Sequence, residues 1–190
     1  MPHPAPTTAT GIARSLRLYH RDPARAARMD ALNARFLRPG DLVFDIGAHV
    51  GDRIASFRRL GARVVALEPQ PAAQRALRLL FRGDPGVLLV AAAVGAAPGT
   101  ARMHLNTANP TVSTLSPGFI AAARGAPGWQ GQAWDRTIEG PGTRLDALIA
   151  RHGPPAFVKI DVEGHEAEVL AGVRHPVPAL SFEFTTIQRD

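Results

Sequence analysis

The chain has 190 residues and a mass of 20.2 kDa, the size of one domain, and its 45% apolar and 20% charged residues exclude wholesale disorder. Cysteine is absent, which excludes disulfides, thiolate zinc sites, iron–sulfur clusters and cysteine nucleophiles, and no apolar run approaches the roughly 18 residues that span a membrane. The net charge of +6 and pI near 11.2 raise nucleic acid, an anionic membrane or an acidic substrate as partners, yet every basic residue except Lys159 is arginine in a chain rich in Ala, Gly and Pro, which a GC-rich coding sequence produces by itself.

Residues 1–10 hold prolines and no large apolar side chain, so a disordered tail is expected there. They carry no basic segment followed by an apolar stretch, so a secretory signal is not expected and a cytoplasmic location is. Residues 11–38 read as a basic helical appendage, broken at Asp22-Pro23, where Asp22 caps a second helix with Pro23 at its first position. The arginines crowding it fit a solvated helix face, with a basic lid over an anionic substrate as the rival reading. Pro39-Gly40-Asp41 is a turn, and a second unit is expected over 39–190.

Leu42–Ile46 is a continuous apolar run, as expected of a strand buried on both faces. A glycine turn and a helix near 50–60 follow, then a strand at Arg63–Leu67, a helix at 71–81 and a strand at Val87–Val90. This alternation implies an α/β, Rossmann-like, doubly wound and mostly parallel sheet with right-handed crossovers. Residues 100–105 and 133–138 read as extra strands around a long Gly-, Pro- and Ser-rich connection at 106–132. Thr143 and Asp146 resemble a capping box opening a helix through Ile149. A core strand at 156–160, a helix at 163–173 and a strand at 179–184 complete the pattern.

Three places carry chemistry. In Phe44-Asp45-Ile46-Gly47-Ala48-His49-Val50-Gly51 the glycines allow a sharp turn and close approach of a ligand. The dinucleotide pattern G-x-G-x-x-G is absent, and Asp45 would repel a pyrophosphate but suits a ligand's amino group. Glu68, followed by Pro69 at the end of the second strand, is placed to accept hydrogen bonds from ribose hydroxyls. Together these features specify a nucleoside joined to an amino acid, which is S-adenosylmethionine. The third place is Val158-Lys159-Ile160-Asp161-Val162-Glu163-Gly164-His165-Glu166, at the carboxyl end of a strand, where open α/β sheets bind ligands. Transfer to a hydroxyl needs a proton acceptor, and Asp161 or His165 can serve, beside Glu163. A divalent metal is the competing idea, but this block holds no second histidine and no carboxylate partner elsewhere is obvious, so no metal is expected.

FDIGAHVG, ALEPQP, the AAAVG stretch at 91–95, TRLDALI and above all FVKIDVEGHEAEVLAG resemble the FkbM-type methyltransferases, in the same order over residues 38–184. The resemblance implies a class I, S-adenosylmethionine-dependent fold acting on hydroxyl groups of sugars or natural-product intermediates. It places Asp45, Gly47, Ala48, His49 and Gly51 at the methionine end, Glu68 and Pro69 at the ribose, Ala93 beside the cofactor and Asp161 near the methyl group and acceptor. His49 and Gln70 stand where the family often has asparagine.

The class I sheet normally continues for two strands past the one at 179–184, so those last two strands are expected to be lacking here. That leaves ALSFEF as an apolar sheet edge, covered by self-association into a homo-oligomer unless the chain is a truncated product. The partner expected is a small-molecule hydroxyl acceptor, with no membrane. Two alternatives remain: a nucleic-acid methyltransferase using the N-terminal arginines on phosphates, and a catalytically inactive cofactor-binding or assembly module. Against the first, there is no Asn/Asp-Pro-Pro-aromatic loop, and aromatics at 6% leave few stacking platforms.

Overall fold

A computed structural model describes residues 7–187. The first helix, α1 (Thr8–His20), is closed by a reciprocal cap: Thr10 N donates to the Thr7 hydroxyl, and Thr7 N to the Thr10 hydroxyl. Residues 8–10, expected in the tail, therefore open a helix, and residues 1–6 of that expectation lie outside the described residues. Helix α2 (Pro23–Asn33) begins as its sequence demands, with the Asp22 carboxylate accepting from Arg25 N at 2.9 Å.

The body follows as β1 (Leu42–Ile46), α3 (Asp52–Arg59), β2 (Arg63–Leu67), α4 (Pro71–Leu80), β3 (Val87–Val90), β4 (Ala93–Val94) and β5 (Gly99–Leu105). After a single 3-10 turn at Pro110–Val112 come α5 (Pro117–Ala123), β6 (Arg136–Thr143), α6 (Leu145–His152), β7 (Phe157–Ile160), α7 (Glu166–Ala171) and β8 (Leu180–Phe182). The main sheet has the order β3-β2-β1-β7-β8, all parallel. A smaller sheet, β4-β6-β5, carries the middle of the chain.

Period-two alternation divides each central strand between two cores. Leu42, Phe44 and Ile46 pack with Leu145, Leu148, Ile149 and Val169 on one face; Val43 packs with Ile54, Phe57 and Leu77 on the other. This two-sided burial is why the strands read as unbroken apolar runs, with each large side chain contributing about 1.5–3 kcal/mol on burial. The appendage is docked: Ile12 and Leu16 of α1 pack on Val50, Ala73 and Ala76, and the buried Asn33 amide of α2 donates to the Ser56 hydroxyl at 2.9 Å.

Three expectations shift. The strand expected at 133–138 is β6, running on through Gly140-Pro141-Gly142. Proline is tolerated because two-residue β4 reaches only Gly142 and Thr143, leaving the strand a local edge at Pro141. The helix expected over 163–173 contracts to α7, because Glu163 and Gly164 take left-handed φ values of +53° and +89°. Thr143 ends β6 rather than capping α6, and Asp146 instead accepts from Arg174 N at 2.9 Å. Strand β8 is the outer strand of its sheet, with Leu180 and Phe182 exposed at 40% and 54%. Among the described residues no helix is long and apolar enough to cross a membrane.

Candidate active site

The carboxyl ends of β1, β2 and β7 meet around one cavity of about 630 Å³. Its floor is the turn after β1. Gly47 N and Ala48 N both donate to Leu67 O at 3.0 Å, stitching the turn to β2. Gly47 has φ +78°, and a Cβ there would fall 1.8 Å from the Asp161 carbonyl oxygen, so only glycine lets the ends of β1 and β7 approach. Gly51, also left-handed, serves a different purpose: it caps α3 and faces Leu77 and Phe81 rather than the cavity.

Glu68 is almost fully buried, and its carboxylate is built into the turn: Oε2 accepts from His49 N and Oε1 from Gln70 N, each at 2.8 Å. Burial pushes it up to about 7 against these two amide bonds. Each oxygen keeps a second lone pair, and the side chain lines the cavity beside Pro69 and Ala93. His49 is held at φ +46°, with both ring nitrogens buried and without a hydrogen-bond partner. Burial, assisted by Lys159, lowers it to about 4, so the ring is neutral. Glycine contact, strand-end acid and orphaned imidazole nitrogens fit a nucleoside joined to an amino acid, and the volume lies in the range of small-ligand sites.

Asp45 has a different place from the one expected. It is fully buried beneath the cavity, because parallel register sets it beside Lys159 on β7. The Lys159 ammonium lies 3.1 Å from Asp45 Oδ1 and 3.4 Å from Asp161 Oδ2, and donates to Gly47 O at 2.7 Å. Burial opposes its charge, but Asp161 and Asp45 outweigh this and hold Lys159 above its usual range. Asp45 thus has its cation inside the protein, and is not a wall to which a ligand's amino group would bind.

Also lining the cavity, Asp161 and Glu163 come together as expected, joined by Glu183 just after β8. One carboxylate oxygen from each lies within 4.8 Å of the others, a spacing that admits a cation; Glu183 is the carboxylate partner that the sequence did not reveal. Lys159 already brings positive charge there. Burial would raise Asp161, but Lys159 and a hydrogen bond with Glu183 hold it below the usual carboxylate range. Burial and the Asp161 charge push Glu163 up to about 9, and the bond to Asp161 with burial pushes Glu183 to about 7. His165 does not join them: its Nε2 lies over Gly95, off the cavity. Glu166 anchors the turn, accepting from Val162 N and Gly164 N at 2.9 Å.

A roof closes the site. The Gln70 amide donates to Pro110 O at 3.1 Å and the Thr114 hydroxyl to Glu163 O at 2.6 Å, so Thr111, Ser113 and Leu115 face the cavity. Tyr19, Arg25, Met29 and Arg53 form the side nearest the appendage. Lys159 had one signal in the sequence, a lone lysine inside an apolar strand. Glu183, Tyr19 and Arg53 had none, since only the tertiary fold brings them to the site.

The model of the Methyltransferase FkbM domain matches residues 45–188, well over half of the chain. The chain belongs to the FkbM methyltransferase family. It is 36% identical over 162 residues to the 31-O-demethyl-FK506 methyltransferase FkbM of Streptomyces tacrolimicus, covering 72% of this chain and 61% of that protein. It thus spans less than two thirds of that relative's length. Two solved structures overlap part of this chain at 19% identity. The apo form of the mycolic acid cyclopropane synthase CmaA1 gives a TM-score of 0.33 over 37% of this chain and 28% of that one. A chain from the complex of the Haloferax volcanii Trm112 methyltransferase activator with a methyltransferase gives 0.34 over 46% and 39%.

Proposed function

We propose that the chain is an S-adenosylmethionine-dependent O-methyltransferase acting on a hydroxyl of a small molecule, a sugar or natural-product intermediate, in the cytoplasm. The observation that carries this reading is one cavity lined both by Glu68 with the Gly47–His49 turn and by the Asp161, Glu163 and Glu183 carboxyls. When bound, S-adenosylmethionine supplies an activated methyl group on a sulfonium. Glu68, with Pro69 and Ala93 beside it, holds the ribose, and Gly47, Ala48 and His49 flank the methionine end. Asp161, kept ionised by Lys159, accepts the proton of the acceptor hydroxyl, and Glu183 passes it on to solvent. Glu163, protonated at neutral pH, donates a hydrogen bond to the acceptor oxygen. The name of the Streptomyces tacrolimicus relative, 31-O-demethyl-FK506 methyltransferase, supports the choice of a hydroxyl acceptor.

Titration calorimetry with S-adenosylhomocysteine tests the cofactor reading: sub-millimolar affinity that Glu68→Ala abolishes supports it, and no binding by the wild type refutes it. The proposal also covers β8, whose exposed edge would pair with a second copy. Light scattering would then show a dimer that Phe182→Lys splits, and a wild-type monomer at all concentrations would refute that part.

A further inference from the structure

Among the described residues three cations line the cavity: Arg25, Arg53 and Lys159. Two are already matched. Arg25 pairs with Asp52 at 3.2 Å and lies over the Tyr19 ring at 4.7 Å, while Lys159 is shared between Asp45 and Asp161. Arg53, on the first turn of α3, makes no ion pair among the described residues; its guanidinium rests on the thioether sulfur of Met29. A partly buried guanidinium against a sulfur has most of its five donors unspent, which is costly in a cavity unless a ligand takes them. Its neighbour Asp52 is turned toward Arg25, and the cavity-facing imidazole of His49 is neutral.

The methionine end of the cofactor is a zwitterion, and its α-carboxylate needs a cation. Asp45 is consumed by Lys159, and Asp161, close enough to Arg53 to be stabilised by its charge, is already held by Lys159 and Glu183, so neither carboxylate takes up the Arg53 donors. We propose that Arg53 receives the α-carboxylate of the methionine end. The guanidinium fork matches a carboxylate bidentately, a geometry no lysine reproduces. This assignment rests on the cofactor reading above and adds a residue to it.

The test compares two ligands that share the adenosine and differ in the amino-acid tail: S-adenosylhomocysteine, which has the carboxylate, and methylthioadenosine, which lacks it. Calorimetry is run without acceptor on the wild type, Arg53→Gln and Arg53→Lys. Arg53→Gln is expected to lose about tenfold to hundredfold in affinity for S-adenosylhomocysteine, the range of a charge-assisted hydrogen bond, and less than about twofold for methylthioadenosine. Arg53→Lys recovers part of the loss. Retained methylthioadenosine binding shows that the variant is folded around an intact adenosine site. An equal loss for both ligands, or no loss for either, overturns the assignment and leaves the cofactor reading standing; the latter result would hand Arg53 to an anionic group on the acceptor. Failure of the wild type to bind either ligand overturns both.

Discussion

Replacing Lys159 with methionine removes the cation between two buried carboxylates while keeping the aliphatic volume in β7. Asp45 then lies fully buried with no ammonium at 3.1 Å, and Gly47 O loses its donor at 2.7 Å. Breaking one side of such a pair costs about 3–5 kcal/mol, a large part of the roughly 5–15 kcal/mol by which a domain is stable. Asp45→Asn should cost less, about 1–3 kcal/mol, because Lys159 keeps Asp161 and the Gly47 carbonyl. The double variant leaves no fully buried charge without a partner, only the partly exposed Asp161, so its cost should fall about 1–3 kcal/mol short of the sum of the single ones. Urea unfolding of the four proteins at neutral pH measures this cycle. The pH dependence has a definite sign. Burial already raises Asp45 above its usual 3.8, and without Lys159 it rises further. A carboxyl raised on folding contributes stability that is full below its unfolded value and lost as pH climbs through the folded one. The Lys159→Met deficit should therefore shrink as pH falls from 7 toward 4. A single-variant cost below about 1 kcal/mol, or additive costs in the double variant, would refute the argument that this pair is built as a unit.

Gly47→Ala should destabilise by about 2–5 kcal/mol, combining a left-handed backbone with collision against the Asp161 carbonyl; Gly83→Ala, at φ +77° with open space around it, should show only the backbone part, about 1–2 kcal/mol. Equal midpoints in urea for the two would remove the collision argument. With any hydroxyl acceptor that the wild type methylates, Asp161→Asn should slow transfer by roughly a hundredfold or more while sparing S-adenosylhomocysteine affinity, and His165→Ala should change the rate less than about twofold. The opposite ranking would return the proton-accepting role to His165. Asp146, lowered to about 2 by bonds from Arg174 N and His175, should contribute stability that is present above its usual 3.8 and lost as acid takes the pH down through 2. Asp146→Ala should flatten acid unfolding between those values in a circular-dichroism titration, and an unchanged profile would count against the anchor.

Leu42–Ile46 and Arg63–Leu67 were legible because two-sided burial leaves an unmistakable trace, and the edge strand Val87–Val90, with Leu88 exposed, was legible from its apolar run alone. Glu68, Gly47 and Asp161 were legible because strand ends and tight turns restrict residue type. What escaped depends on partners far along the chain. Nothing local distinguishes an Asp45 waiting for a ligand from one matched to Lys159, and the difference rests on register between β1 and β7. His165 looked like a base because it stands among acids. Left-handed Glu163 and Gly164 turn the chain so that it faces Gly95 instead. Glu183 lies beyond the recognisable motif and reaches the site only because β8 pairs with β7.

Pairing of Asp45 with Lys159 also bears on the order of folding. Strands β1, β2 and β3 are joined by short crossovers and can assemble early, whereas β7 must return across more than a hundred residues to lie against β1. Until it arrives, the carboxylate of Asp45 faces water at the open side of a half-built sheet. Docking β7 one residue out of step would set Lys159 against an apolar side chain and seal Asp45 without its cation. The charge pair therefore favours one alignment of β7 on β1 and penalises its neighbours, so that it selects the register of the sheet's longest-range contact.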